Sequence, residues 1–274
     1  MASSLKQLAV AGSLSLVALG AVAGDPVPVD LTTWSALTLD YAGGQPAGNW
    51  VLQAGNTAVK QVVNADPSFY INNLDQTQYS IDGKWKVDGS AGDDDYMGFA
   101  FGYQNSSNFY LFDWKAGTQG YVGRTAAEGM TVKKFTGATG NGLADLSIEE
   151  FWENQVDFGD MKVLDTNHSA TAGWANNVEY AFHLDFDVVP GQFRIVVKQA
   201  DTVLWDTTLN DSTFVGGQFA FFNNSQQNVL YSSFTQTDGI PTPPPIPAVP
   251  EPETYVLMLA GLGALGWVSR RRRR

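Results

Sequence analysis

The chain contains no cysteine, which excludes a disulfide framework and a thiolate metal site. Histidine is nearly missing too. His168 and His183 are the only two, and at fifteen residues apart with no flanking cysteine they match no zinc spacing. Cations are scarce: Lys and Arg number 16 against 28 Asp and Glu, and Lys6 and the arginines at 270–274 lie in terminal segments. Residues 24–250 therefore hold 10 basic and 26 acidic side chains, a net −16. A body this acidic repels nucleic acid and anionic lipid, whose partners need Lys and Arg to displace counterions, so it argues against a nucleic-acid function. No Gly-rich phosphate loop leads into a helix, and the Gly-x-Ser-x-Gly nucleophile elbow is absent. What remains is 274 residues with 12% aromatic and 16% charged side chains, a composition of folded domains and not of disorder or a coiled coil.

The ends read as addresses. Residues 1–23 carry one cation, Lys6, then a run of small and apolar residues closing on Ala21-Val22-Ala23, the pattern of a secretory signal peptide. Residues 241–252 hold seven of the twelve prolines, and residues 239–250 are expected to form an extended, semi-rigid linker. Beyond them, residues 255–268 are fourteen positions without charge. At 1.5 Å per residue they span ~21 Å against a ~30 Å hydrocarbon core, a marginal membrane span. The order Val249-Pro250-Glu251-Pro252-Glu253-Thr254, short apolar stretch and terminal arginine block resembles the PEP-CTERM sorting signal of Gram-negative bacteria, here residues 250–274. That resemblance implies transient inner-membrane anchoring, processing by an exosortase-type protease, and delivery to the cell surface or extracellular matrix. A permanent single-pass anchor is the alternative.

Between residues 25 and 238, short apolar-alternating runs are bounded by Gly, Asn, Asp and Ser at intervals near ten, the signature of one β-sandwich or barrel domain. Residues 97–103 place Phe99, Phe101 and Tyr103 on one face and Gly98, Ala100 and Gly102 on the other. After a polar turn, residues 109–115 place Tyr110, Phe112 and Trp114 opposite Phe109, Leu111, Asp113 and Lys115, so the two runs should pair as a hairpin. Further strands are expected at 180–187, 192–199, 203–205, 217–223 and 229–235. Ser147-Ile148-Glu149-Glu150 is a capping-box pattern that starts one short helix bearing Ile148, Phe151 and Trp152 on a face.

The run Asp93-Asp94-Asp95 is the most unusual local feature, because three adjacent carboxylates repel one another unless a cation or solvent offsets them. Hard oxygen ligands suit Ca²⁺. An extended triplet would send Asp93 and Asp95 one way and Asp94 the other, so chelation by all three needs a bent loop. Asp113, an acid interrupting an aromatic strand, is the natural fourth ligand; a solvated acidic turn is the alternative. Glu149, Glu150 and Glu153 form an acid cluster, yet on a helix and not at alternating strand positions facing a groove, which argues against glycoside hydrolysis. The seven tryptophans between residues 34 and 205 are expected in the core rather than as sugar platforms.

The stretch Asp93-Asp94-Asp95-Tyr96-Met97-Gly98-Phe99-Ala100-Phe101-Gly102-Tyr103-Gln104, continuing to Trp114-Lys115, resembles the thrombospondin C-terminal domain. So do Asn49-Trp50-Val51, Asn64-Ala65-Asp66-Pro67, Gly173-Trp174, Gly216-Gly217-Gln218-Phe219 and Ser225-Gln226-Gln227-Asn228. The resemblance implies an all-β jelly-roll sandwich of the concanavalin A-like, L-type lectin kind, with Ca²⁺ near Asp93 to Asp95. Together these readings describe a non-enzymatic, exported calcium-binding adhesion module whose partner is extracellular polysaccharide or a matrix protein. A sugar-specific lectin and a polysaccharide-cleaving enzyme are the alternatives.

Overall fold

The computed structural model describes residues 27–89 and 93–238. The signal-peptide, linker, sorting-signal and membrane-span expectations lie outside them. In chain order the strands are β1 (Val27–Pro28), β2 (Ser35–Thr38), β3 (Trp50–Leu52), β4 (Val59–Gln61), β5 (Ser68–Ile71), β6 (Tyr79–Val87), β7 (Tyr96–Asn105), β8 (Asn108–Lys115), β9 (Gln119–Tyr121), β10 (Arg124–Ala126) and β11 (Gly129–Thr136). Helices α1 (Gly142–Asp145) and α2 (Ile148–Trp152) follow, then β12 (Met161–Asn167), β13 (Glu179–Phe186), β14 (Gln192–Gln199), β15 (Thr202–Asn210), β16 (Gln218–Asn224) and β17 (Val229–Asp238).

One sheet runs β15-β14-β13-β6-β17-β4-β3, with β1 on β17, and the other runs β12-β11-β8-β7-β16-β5-β2. Neighbours such as β6 and β17, or β7 and β16, are far apart in sequence, the crossovers of a jelly roll. The first sheet is buried on one face only. In β6, Tyr79, Ile81, Gly83, Trp85 and Val87 point inward while Ser80, Asp82, Lys84 and Lys86 are intermediate or exposed, the alternation of a half-buried strand. Between the sheets the core is largely aromatic: the Trp85 ring stacks on Phe182 at 4.6 Å and on Phe112 at 5.7 Å, and Phe99 stacks on Phe182 at 4.8 Å. Each such side chain contributes about 1.5–3 kcal/mol through burial.

The second sheet is buried on both faces. Its outer face carries Phe69, Phe109, Leu111, Phe135 and Phe222, and over them lie Leu146, Phe151 and Trp152 from the α1–α2 segment. That is why β7 and β8 read as nearly continuous apolar runs instead of clean alternations. The capping box forms as expected, with the Glu150 carboxylate accepting from the Ser147 amide at 2.6 Å and hydroxyl at 2.8 Å. Two helices stand where one was expected, because α1 precedes it.

The 97–115 hairpin forms, with Phe99 opposite Phe112. One expectation about it fails. The register shifts between Phe101 and Asn105, and Gly102 adopts φ +56°, which rotates Tyr103 away from Phe99 and Phe101 onto the opposite face with Phe69 and Phe109. A residue with a Cβ would strain at that φ and would also meet the Phe186 ring at 2.9 Å. The partner that approaches Gly98 closely is the carbonyl of Phe112 on the neighbouring strand, 2.0 Å from where a Cβ would stand.

Candidate cation site at one end of the sandwich

Four segments distant in sequence meet where β7 begins. The Trp174 indole donates to the Asp95 carbonyl at 3.0 Å, the Asp95 amide donates to Gln226 Oε1 at 3.0 Å, and the Ser225 amide donates to the Ala65 carbonyl at 2.7 Å. Asp66 secures its own loop by accepting from the amides of Tyr41 at 2.8 Å and Gln45 at 2.9 Å. Residues 65–66, 95, 174 and 225–226 thus form one backbone-braced corner.

The triplet lies just before β7 and does not divide as an extended strand would: Asp94 and Asp95 both reach Lys115. Asp93 lies near Asp95, whose negative charge opposes its ionisation. Asp93 accepts from the Gln227 amide at 3.4 Å, and Asp95 from the Ser225 hydroxyl. Burial, then the charge of Asp95, pushes the Asp93 carboxyl up to about 6, and burial raises Asp95 as well despite an opposing lysine. Asp94 is more exposed than Asp95 and reaches the same lysine from its edge.

That lysine is Lys115, which sequence reasoning placed on the face of Asp113 without giving it a role. Its side chain is fully buried, with Nζ 2.6 Å from Asp95 Oδ1, 3.3 Å from Asp94 Oδ1 and 2.9 Å from Gln119 Oε1, under the Trp152 ring at 4.6 Å. An ammonium therefore supplies much of the charge compensation first assigned to calcium. Asp113 does not join the triplet. It is wholly buried beneath α2, where Asp113 Oδ2 lies 2.7 Å from Lys133 Nζ. Among the described residues no group of three or more acidic or histidine side chains is disposed to hold a metal ion. The fit to calcium is therefore narrower than expected: Asp93 and Asp95 suit a shared cation, since Lys115 offsets only one of their two charges, whereas Asp94 lies at the edge of the same lysine and Asp113 is paired with Lys133.

Two acids of the helical cluster, Glu150 and Glu153, have structural partners. Glu150 completes the cap and also accepts from the Asp160 amide at 2.5 Å, while buried Glu153 pairs with Arg124 at 3.5 Å. His183, read as a packed or hydrogen-bonded strand residue, lies between Asp82 at 2.9 Å and Asp185 at 3.1 Å, whose hydrogen bonds raise it to about 9. Trp34, Trp85, Trp114, Trp152 and Trp174 are buried, and Trp50 and Trp205 are partly buried against the inter-sheet core.

Residues 45–237 match the model of the thrombospondin C-terminal region. The chain belongs to that family. Residues 248–274 match the PEP-CTERM protein-sorting motif, which marks an exported chain. Thrombospondin-3b of Danio rerio is 29% identical over 221 residues, 77% of this chain and 23% of its own length. Thrombospondin-2 of Gallus gallus is 29% identical over 210 residues, covering 74% and 18%. This thrombospondin-type chain thus spans less than a quarter of the curated relatives it matches. Among solved structures, the exoplasmic/lumenal domain of VIP36 superposes with a TM-score of 0.51 in its Ca²⁺/Man-bound form, at 9% identity over 75% of this chain and 83% of that one. Its Ca²⁺-bound form gives 0.50 at 8% identity over 76% and 84%. The fold is accordingly an all-β, lectin-like jelly roll.

Proposed function

We propose that this protein is a non-catalytic, exported adhesion module that binds extracellular polysaccharide or a matrix protein, with one Ca²⁺ held by Asp93 and Asp95. The facing carboxylates of Asp93 and Asp95 carry the reading. With its carboxyl titrating near 6, Asp93 loses its proton at neutral pH, and the pair then carries one negative charge more than Lys115 offsets. Ca²⁺, accepting six to eight oxygens from carboxylates, carbonyls and water, is the ion whose chemistry this suits. Asp93 and Asp95 would hold it; bound there, the ion would brace the corner where residues 65–66, 174 and 225–226 meet. The sorting motif supports export, exosortase-type processing and a place at the surface or in the matrix.

Binding is favoured over cleavage by the packed outer face of the second sheet. Phe151 and Trp152 cover the outer face of that sheet, and Glu150 and Glu153 are engaged in a cap and an ion pair. A sugar-specific lectin remains the second reading, favoured by the lectin-like fold alone.

Incubating the processed protein with matrix polymer in calcium or in chelator, and measuring both polymer-bound protein and new reducing ends, tests this. Calcium-dependent retention with no reducing ends is expected. Release of reducing ends would establish an enzyme instead, and equal absence of retention in both buffers would remove the adhesion reading.

A further inference from the structure

Asp113 on β8 and Lys133 on β11 are unused by the cation site. The two strands are adjacent, with Thr131 opposite Asp113 and Lys133 opposite Leu111, so the two side chains share a face on a short diagonal. Both are entirely shielded from solvent. Nζ and Oδ2 are 2.7 Å apart, Lys133 Nζ also donates to the Phe151 carbonyl at 2.8 Å, and Asp113 Oδ1 has no hydrogen-bond partner. The Tyr96 ring centroid lies 5.0 Å from the same nitrogen. A buried ion pair that leaves one carboxylate oxygen unpartnered bears the desolvation of both charges without completing their bonds.

We propose that Lys133 and Asp113 are joined in the folded protein by an isopeptide bond between Nζ and Cγ. The ammonium passes a proton to the carboxylate, giving amine and acid. The nitrogen lone pair then attacks Cγ, the Nζ–Cγ bond forms, one Cγ–O bond breaks, and that oxygen leaves as water with two hydrogens that began on nitrogen. Atoms and charge balance with no oxidant, metal or cofactor. Burial favours the neutral, reactive forms of both groups, pushing the Asp113 carboxyl up to about 6 and Lys133 down. The fold supplies the proximity: a nucleophile held beside one carboxyl group reacts as though at an effective concentration of up to ~10⁵–10⁸ M. The product replaces two desolvated charges by one amide in a buried site beside the Tyr96 ring, and it cross-links β8 to β11 in a chain that has no cysteine to do so.

Lys115 is the internal control. It is as buried as Lys133, but its ammonium makes an aligned 2.6 Å hydrogen bond to Asp95 and others to Asp94 and Gln119, a satisfied ion pair with no drive to condense.

The test is tryptic digestion of the purified, folded protein followed by mass spectrometry. The expected result is residues 87–115 linked to residues 125–134, uncleaved after Lys133 and lighter than the two peptides together by one water, ~18 Da. The signal should vanish in Lys133→Met and in Asp113→Ala. Recovery of residues 87–115 and 125–133 as separate, unmodified peptides from the wild-type protein would overturn the proposal, and that readout does not depend on either variant folding.

Discussion

Replacing Lys115 with methionine should destabilise the protein by about 3–5 kcal/mol, the cost of leaving a buried carboxylate without its counter-charge. Lys115 has no exposed side-chain surface and Asp95 has 7%, so solvent cannot take over the role of the ammonium. Methionine preserves most of the stem packing under Trp152 and isolates the charge. Adding Asp95→Asn should recover part of the loss, because the uncompensated charge is then gone. The Lys86–Asp88 pair, at 2.8 Å but with about a third of each side chain exposed, provides the contrast: Lys86→Met should shift the urea midpoint far less than Lys115→Met. Urea denaturation of the four proteins distinguishes the cases. Equal midpoint shifts for Lys115→Met and Lys86→Met would mean that the charge of Lys115 is not needed at this corner.

The second large effect concerns the layer over the second sheet. Phe151→Ala should cost about 3–5 kcal/mol, since its ring is fully buried and leaves a cavity that a braced sheet cannot close. The ring lies 4.9 Å from that of Phe135, 6.1 Å from Phe222 and 6.4 Å from each of Phe69 and Phe109. Fluorescence of a dye that binds exposed apolar surface should rise in step with the loss. A change below about 0.5 kcal/mol, the size of an ordinary surface substitution, would mean that α2 docks loosely and that the sheet can offer an open groove. The case against a polymer-cleaving cleft rests on that packing.

Much of the fold was legible because its signals are local. The turn between β7 and β8, the Ser147 to Glu150 cap and the alternating strands after residue 179 each sit within a few residues of one another. The strands at 79–87, 129–136 and 161–167 went unassigned, although β6 alternates cleanly. Tyr103 was misplaced for a different reason: period-2 reasoning assumes an unbroken ladder, and the irregularity at Gly102 is also seen in pairing with β16, more than a hundred residues away. The candidate site was half legible. Alternation separates Asp94 from its neighbours, but Lys115 draws Asp94 and Asp95 to one ammonium. The assignment of Asp113 was a matter of charge read without its surroundings. Lys133, twenty residues on, has a lysine beside it at 134, and only the pairing of β8 with β11 shows which of the two turns inward to Asp113.

The role of Asp93 and Asp95 is tested most directly by calorimetric titration of chelator-stripped protein with Ca²⁺ at pH 7.5 and pH 5. One site is predicted, with a dissociation constant in the ~10⁻⁴–10⁻³ M range of extracellular modules. Because the Asp93 carboxyl is raised to about 6, it is charged at the higher pH and protonated at the lower, where its proton competes with the ion. Affinity should therefore weaken by about tenfold at pH 5. Asp93→Asn should abolish the heat, and Asp113→Asn should leave it unchanged. No binding by the wild-type protein, or undiminished binding by Asp93→Asn, would contradict the account.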